Sequence, residues 1–416
     1  MKTDDEYKES RQFLVEFILD NNQAFSILNC KSFRQLLSSL DKNFTVPCDK
    51  TVKTMIGSAY EWSCTQLSEL LMSDCIAASI TTDFWTSRTK HGYIGITCSW
   101  ISIDWKPKEA LLELERVPYP HTGVVISQIL KSVFEKWKIE KKVIALTTDN
   151  GSNIKKAARL LNTIDHLPCA AHTLQLTVGQ GLNIIKVFVL RVKRLIDFFH
   201  VSPKQSERLN AAQQEIGYKK NLSVIGDVST RWNSSFYAWK RLLILQRAII
   251  FLPSRLKSDL NNDVRNDGEK LERIMLTNNE WELLSKLVDI LEGFEEVTAL
   301  LSGAKYTTIS LIYPAISRVI LEIKPRSEPS LSTITGNDEE EFVDDDDQVT
   351  ILENIEEIIE YDKDTVEIID GNNKCRKKVD ISKPLTLSAG SYIKEIKKKC
   401  MKVWQNIGKH LLLLLW

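Results

Sequence analysis

Two aspartates point most directly to chemistry: Asp83 in Thr82-Asp83-Phe84-Trp85 and Asp149 in Thr148-Asp149-Asn150-Gly151. Each ends a run of apolar and β-favouring residues, Ala77-Ala78-Ser79-Ile80-Thr81 before the first and Val143-Ile144-Ala145-Leu146-Thr147 before the second. That pattern predicts a buried strand delivering a carboxylate at its C-terminal tip. In α/β folds ligands gather at that end of the sheet. Two carboxylates converging there can hold a divalent metal for phosphoryl-transfer chemistry. A plainer reading stands beside it, in which both are turn formers or helix N-caps, since Asp-Asn-Gly is also a turn signature.

Two further clusters have the same double character. Cys169-Ala170-Ala171-His172 has a spacing that supplies two zinc ligands, with His166 nearby, but zinc takes four ligands, or three and a water. The plainer reading is a buried thiol and a hydrogen-bonded histidine, and zinc is not expected. In Thr230-Arg231-Trp232-Asn233 a guanidinium stands beside an indole, a pair able to contact phosphate and stack on a base. More often such a Trp232, with Phe236, Tyr237 and Trp239, is the core face of a helix, and that reading is favoured. There is no Walker A loop, no GxGxxG after a strand, no GxSxG and no HExxH, which argues against P-loop ATPases, Rossmann enzymes, α/β-hydrolases and zincins.

The elements that must position these residues follow from periodicity. The first forty residues read as helical, with Phe13, Phe17 and Ile18 on one piece and Phe33, Leu36, Leu37 and Leu40 on the next. Pro47 and Asp49 punctuate the start of a helix over roughly Thr51 to Asp74. Three closely spaced strands follow, Ala77–Trp85, Tyr93–Ile103 and Ala110–Val117, which suggests an antiparallel meander. Ile126, Ile129, Leu130, Val133, Phe134 and Trp137 then mark an amphipathic helix. A fourth strand, Val143–Thr148, leads into a helix opened by Gly151-Ser152-Asn153. A right-handed crossover can place this strand parallel to and beside the first, which would make Asp83 and Asp149 neighbours, although sequence alone does not fix strand order.

From about Leu174 to Pro325 the chain reads as mainly helical, including a helix begun by the capping box Thr277-x-x-Glu280. The acidic tract Asn337–Asp347, preceded by Ser327, Pro329, Ser330 and Ser332, reads as a disordered linker. A short helix over Ile351–Ile359 and a basic amphipathic helix over Ser391–His410 are expected after it. In the latter the lysines from Lys394 to Lys402 suit phosphates, while Ile393, Ile396, Met401 and Trp404 form an ordinary packed face.

Composition narrows the setting. Of 416 residues, 43% are hydrophobic and 26% charged, as in ordinary globular proteins. The net charge is zero, but acidic and basic residues are segregated, so total charge neither predicts nor excludes a nucleic-acid partner. Eight cysteines without a CxxC, behind a polar and acidic N-terminus, indicate reduced thiols in a cytosolic or nuclear setting. No apolar stretch of ~18 residues is evident, so no membrane partner is expected.

Taken in order, these segments resemble the hAT superfamily of DNA transposases and the BED-type zinc-finger proteins domesticated from them. The resemblance rests on Asp83-Phe84-Trp85-Thr86-Ser87, His121-Thr122, Trp137, Thr148-Asp149-Asn150-Gly151-Ser152-Asn153, Cys169-Ala170-Ala171-His172-Thr173-Leu174-Gln175-Leu176 and Thr230-Arg231-Trp232-Asn233-Ser234. Phe33-Arg34-Gln35-Leu36-Leu37, Val46-Pro47 and Leu300-Leu301-Ser302-Gly303 with Tyr306-Thr307-Thr308 add to it, and the likeness covers roughly residues 10–325.

The resemblance implies an α/β fold: an RNase H-like mixed sheet interrupted by a helical insertion domain, with an N-terminal helical lead-in. The boundaries it implies are 1–75 for the lead-in, 76–176 for the first part of the core, 177–325 for the insertion, 326–348 for the linker and 349–416 for a truncated C-terminal helical segment. Asp83 and Asp149 correspond to the first two acidic residues of the family's DDE triad, which bind Mg2+ or Mn2+. Cys169 and His172 fall near the active site, and Arg231 and Trp232 become DNA-contact candidates. No BED finger precedes residue 10, and no residue is assigned to the third carboxylate, although Glu292, Glu295 and Glu296 are available. The expectation is a nuclear fragment or domesticated descendant of a transposase, non-catalytic, binding DNA nonspecifically, with any homo-oligomer weakened by a missing C-terminal region. The alternatives are an active metal-dependent transposase and an unrelated interaction module.

Overall fold

The computed structural model describes residues 4–87, 89–227, 232–303, 309–324, 365–369 and 376–413. They fall into two units, residues 1–146 with 152–166 and residues 147–151 with 167–416.

The first unit begins with helices α1 (Asp4–Asp20), α2 (Lys31–Leu40) and α3 (Asp49–Asp74). Leu14, Val15, Ile18, Leu28, Val46 and Val52 form a small core among them. The expected meander follows as β1 (Ala78–Thr86), β2 (Gly92–Ile101) and β3 (Pro107–Val117), antiparallel throughout and irregular only at Ile96/Thr97. Side chains alternate across a strand, so Ala78, Ile80 and Thr82 are buried while Thr81, Asp83 and Trp85 face out. Ile94, Ile96, Cys98 and Trp100 of β2 join the buried side.

Helix α4 (Gly123–Lys136) adds Ile126, Leu130, Val133 and Phe134 to that core, and the Thr122 hydroxyl caps it by accepting from the Val125 N–H at 3.4 Å. The Trp137 indole N–H donates to the mostly buried Glu113 carboxylate of β3 at 3.0 Å, and the Lys136 ammonium pairs with the same oxygen. Trp137 therefore ties the helix to the sheet. Strand β4 (Val143–Thr148), helix α5 (Ser152–Arg159) and strand β5 (Asp165–Pro168) follow. Close approach of α4 and α5 needs glycine at 123, where a Cβ would stand 2.6 Å from the Asn153 carbonyl oxygen.

The strand order is β3-β2-β1-β4-β5. The fourth strand thus lies beside the first, one of the arrangements that a crossover allows. Strand β5 is an addition to the expected elements, because four residues ending in proline show neither alternation nor an apolar run.

The second unit contains α6 (Ala170–Leu182), α7 (Lys186–His200), α8 (Pro203–Glu215), α9 (Trp232–Lys257), α10 (Asn262–Ile274), α11 (Asn278–Leu301) and α12 (Ile309–Ile323). Its core joins Phe188, Val192, Leu195 and Phe199 of α7 to Phe236, Trp239 and Leu242 of α9 and to Leu284, Leu287, Leu291 and Phe294 of α11. Both halves of the capping box form, between the Thr277 and Glu280 side chains and each other's backbone N–H. Arg191 of α7 reaches the buried Glu280 with Nε–Oε1 2.8 Å and Nη2–Oε2 3.2 Å.

Three expectations change here. Ala170–His200 is long and apolar enough to cross a bilayer by length and composition, contrary to the expectation of no such stretch. It is a core segment, with Phe188, Val192, Leu195 and Phe199 packed inside the unit and Arg191 paired to Glu280. A two-stranded sheet, β6 (Thr365–Ile369) antiparallel to β7 (Arg376–Asp380), lies within what was expected to be a helical segment. The final helix α13 runs Ala389–Leu413, longer than the Ser391–His410 expected. The acidic tract, the helix expected over Ile351–Ile359 and Arg231 lie outside the described residues.

Candidate metal and nucleic-acid site

Asp83 stands near the C-terminal end of β1 on the exposed face of the sheet. Its carboxylate makes no hydrogen bond or ion pair among the described residues. Its partner across the ladder is Gly95, and the next residue in that row is Leu114. One register step along the same face runs a second row, Trp85, Tyr93 and Arg116. The Trp85 and Tyr93 rings stack at 6.1 Å and 22°. The indole leans over Gly95, where a Cβ would lie 3.4 Å from the ring. Trp85 stays 40% exposed, so one ring face remains available. Arg116 is exposed, with Nη2 3.3 Å from His91 Nδ1. An acid, a stacked aromatic pair and a guanidinium thus share one face. Sequence reasoning gave no role to Trp85, Tyr93 or Arg116. Alternation assigns each to a face of its own strand, but only the register joins them.

Asp149 belongs to the second unit, in the turn that follows β4. Its Oδ1 accepts the Gly151 N–H at 2.9 Å, so the turn-former reading holds for that oxygen. The Cys169 N–H donates to the Thr148 carbonyl at 2.8 Å, and Asn150 Nδ2 donates to Thr173 Oγ1 at 3.2 Å. The Thr173 hydroxyl in turn donates to the Cys169 carbonyl at 2.9 Å. These bonds stitch the Asp149 turn to the first turn of α6, which carries Cys169 as its N-cap residue and His172. The structure therefore brings Asp149, Cys169 and His172 to one end of the second unit.

Among the described residues, no group of three or more His, Cys, Asp and Glu side chains lies close enough to hold a metal. Glu292 pairs with Lys240, Glu295 accepts from the Tyr237 hydroxyl, and Glu296 pairs with Arg318 at 2.6 Å. All three glutamates are thus engaged within the second unit. Trp232 is 6% exposed and packs edge-on to Phe294 at 6.4 Å. The core-face reading describes its present position, in which no indole face is free for a base.

A further acidic pair lies in the second unit. Burial raises Asp227 above the ordinary carboxylate range, partly offset by the Ser235 hydroxyl donating at 2.7 Å and by Lys193. Burial also raises Asp197; Lys193 and His200 oppose this, while Asp227 adds to it. A raised carboxyl binds its proton more tightly folded than unfolded. Stability is therefore lost as pH rises from the unfolded pKa through the folded one. Asp227→Asn, which keeps an oxygen to accept from Ser235, is expected to raise the melting temperature at pH 7. The gain should fade as pH falls below the ordinary carboxylate pKa. Thermal melts across pH check this, and an equal effect at pH 3 and pH 7 would contradict it.

Comparison with known proteins gives a consistent picture. A family model described as the ZBED1 RNase-like domain matches residues 81–173, and one described as the ZBED1 RNase-like helical domain matches residues 167–290. The chain is 28% identical over 318 residues to a Zea mays protein named "Putative AC transposase", covering 73% of this chain and 38% of that protein. It is 22% identical over 329 residues to the Homo sapiens zinc finger BED domain-containing protein 4, covering 74% and 26% respectively. With the Oryza sativa zinc finger BED domain-containing protein RICESLEEPER 2 the identity is 21% over 352 residues, covering 80% and 47%. The chain thus spans less than half the length of each of these relatives.

Proposed function

Because this chain belongs to the hAT-type, transposase-derived proteins, with an RNase H-like α/β fold, we propose that it is a DNA-binding descendant of such a transposase in which Asp83 and Asp149 are divalent-cation ligands and strand transfer is not completed. The observation that carries this reading is the strand order: β1, which bears Asp83, neighbours β4, which Asp149 follows. Two carboxylates suit a hard cation such as Mg2+ or Mn2+, whose remaining positions are filled by water and substrate phosphate. When bound, such an ion neutralises charge on phosphate oxygens.

The chain's own residues would do the rest. The Asp149 turn is fixed by its bond to Gly151 and by the links from Cys169 and Asn150, so Cys169 and the start of α6 would position the carboxylate rather than ligate metal. Trp85 on Tyr93 offers a ring for an unstacked base, and Arg116 offers a phosphate contact one row from Asp83. A third carboxylate would be needed to complete the family's triad. The glutamates nearest to candidacy are occupied by Lys240, Tyr237 and Arg318. A DNA partner of this kind implies a nuclear location.

The test uses the full chain, supercoiled plasmid and Mn2+. Plasmid should be retarded at low salt and released as salt rises, because phosphate contacts carry the affinity. It should remain supercoiled. Metal-dependent nicking that Asp83→Asn abolishes would establish the active enzyme instead. Absence of retardation at any salt would remove DNA as the partner.

A further inference from the structure

Helix α13 carries five lysines against one glutamate between residues 394 and 402. Its two faces have separate duties. Ile396, Cys400 and Trp404 are buried in the core of the second unit, with Tyr392, Ile393 and Met401 packed against it. The Cys400 thiol donates to the Thr177 carbonyl of α6 at 3.6 Å. The helices meet closely at Gly181, where a Cβ would stand 2.5 Å from the Cys400 sulfur. The helix is thus seated on α6 along one side.

The lysines lie on the other side. Lys394, Lys398 and Lys402 recur every fourth residue and are exposed, as is Lys399. A four-residue step advances about 6 Å along a helix and returns to nearly the same face. These four ammonium groups have no ion pair among the described residues. Glu395 is the single acid in the span, while Lys397 is half-buried and engaged elsewhere. Buried apolar contacts fix the backbone, so the charges are displayed from a rigid support and not from a tail.

We infer that this lysine stripe is a binding surface for the phosphate backbone of duplex DNA. The inference rests on the DNA-binding reading above and deepens it by assigning a face of the second unit. Charge complementarity selects the occupant: a regular row of cations without base-reading side chains matches a regular row of phosphates and carries no sequence preference. This resolves the two readings of the helix, because its apolar residues pack while its lysines remain outward.

The experiment measures binding of a fluorescent 30-bp duplex by the full chain across salt concentrations. It compares the native protein with the triple variant K394Q/K398Q/K402Q and a charge-retaining triple Lys→Arg variant. Each phosphate contact contributes about 0.9 to the slope of log affinity against log salt. The glutamine variant should lose about 2–3 from that slope, whereas the arginine variant should keep it. Thermal melts of all variants should coincide, since exposed lysines are exchanged for another good helix former. If the native chain binds and the glutamine variant shows the same slope, the stripe is not the surface and the DNA reading survives. If the native chain does not bind, the DNA reading itself fails and this inference with it.

Discussion

Replacing Arg191 by alanine is expected to destabilise the second unit by about 3–5 kcal/mol, the scale for leaving one partner of a buried ion pair uncompensated. Both partners are almost completely buried, with side-chain exposures of 5% for Arg191 and 0% for Glu280. The guanidinium also donates to the carbonyls of Ile381 at 2.8 Å, Ser382 at 3.1 Å and Met275 at 3.4 Å. Removing it strands a carboxylate and three acceptors, including those that hold the segment entering α13. Arg191→Lys should not rescue, because a point charge cannot satisfy a fork of partners. The melting temperature should fall by on the order of 10 °C. Hydrogen exchange should accelerate through residues 380–400. A fall of less than about 2 °C would mean that the unit relaxes around the gap and that Arg191 is no keystone. Substituting both partners by methionine should cost less than the sum of the single changes, although Glu280 also closes the capping box.

The second large effect concerns metal. Asp83→Asn and Asp149→Asn are each expected to weaken Mn2+ binding by about tenfold or more. Loss of an outer-shell partner alone commonly costs 10–100-fold, and these carboxylates are the proposed ligands themselves. Neither change should unfold the protein. Asp83 gives up no hydrogen bond among the described residues, and the amide introduced by Asp149→Asn retains an oxygen to accept from Gly151. Melting temperatures within a degree or two of the native value, together with the loss of Mn2+ binding, would separate a ligand role from a structural one. Unchanged Mn2+ affinity in both variants would remove the metal reading.

Much of the fold was legible because its signals are local. Alternation in Ala78–Thr86 and Gly92–Ile101 marks half-buried strands, and a crossover allows β4 beside β1, although only the structure fixes that order. The Thr277/Glu280 box announces its helix because both partners lie within one turn. What escaped was non-local. Glu280 reads as a capping residue, and nothing in its neighbourhood reveals that Arg191, 89 positions away, shares it. The Trp85–Tyr93–Arg116 row exists only once strand register is fixed. Apolar length alone misleads at Ala170–His200, since a core segment and a bilayer span meet the same compositional test. For Trp232 the core-face reading is the commoner one for an aromatic at helical spacing, and burial against Phe294 agrees with it.

The most direct test of the account is a Mn2+ titration, read by electron paramagnetic resonance, of the native chain, Asp83→Asn, Asp149→Asn and the double variant. Ligand roles for these carboxylates predict Mn2+ binding by the native chain and weaker binding in each single variant and in the double variant. Native-like Mn2+ affinity in the double variant would show that neither Asp83 nor Asp149 is a cation ligand.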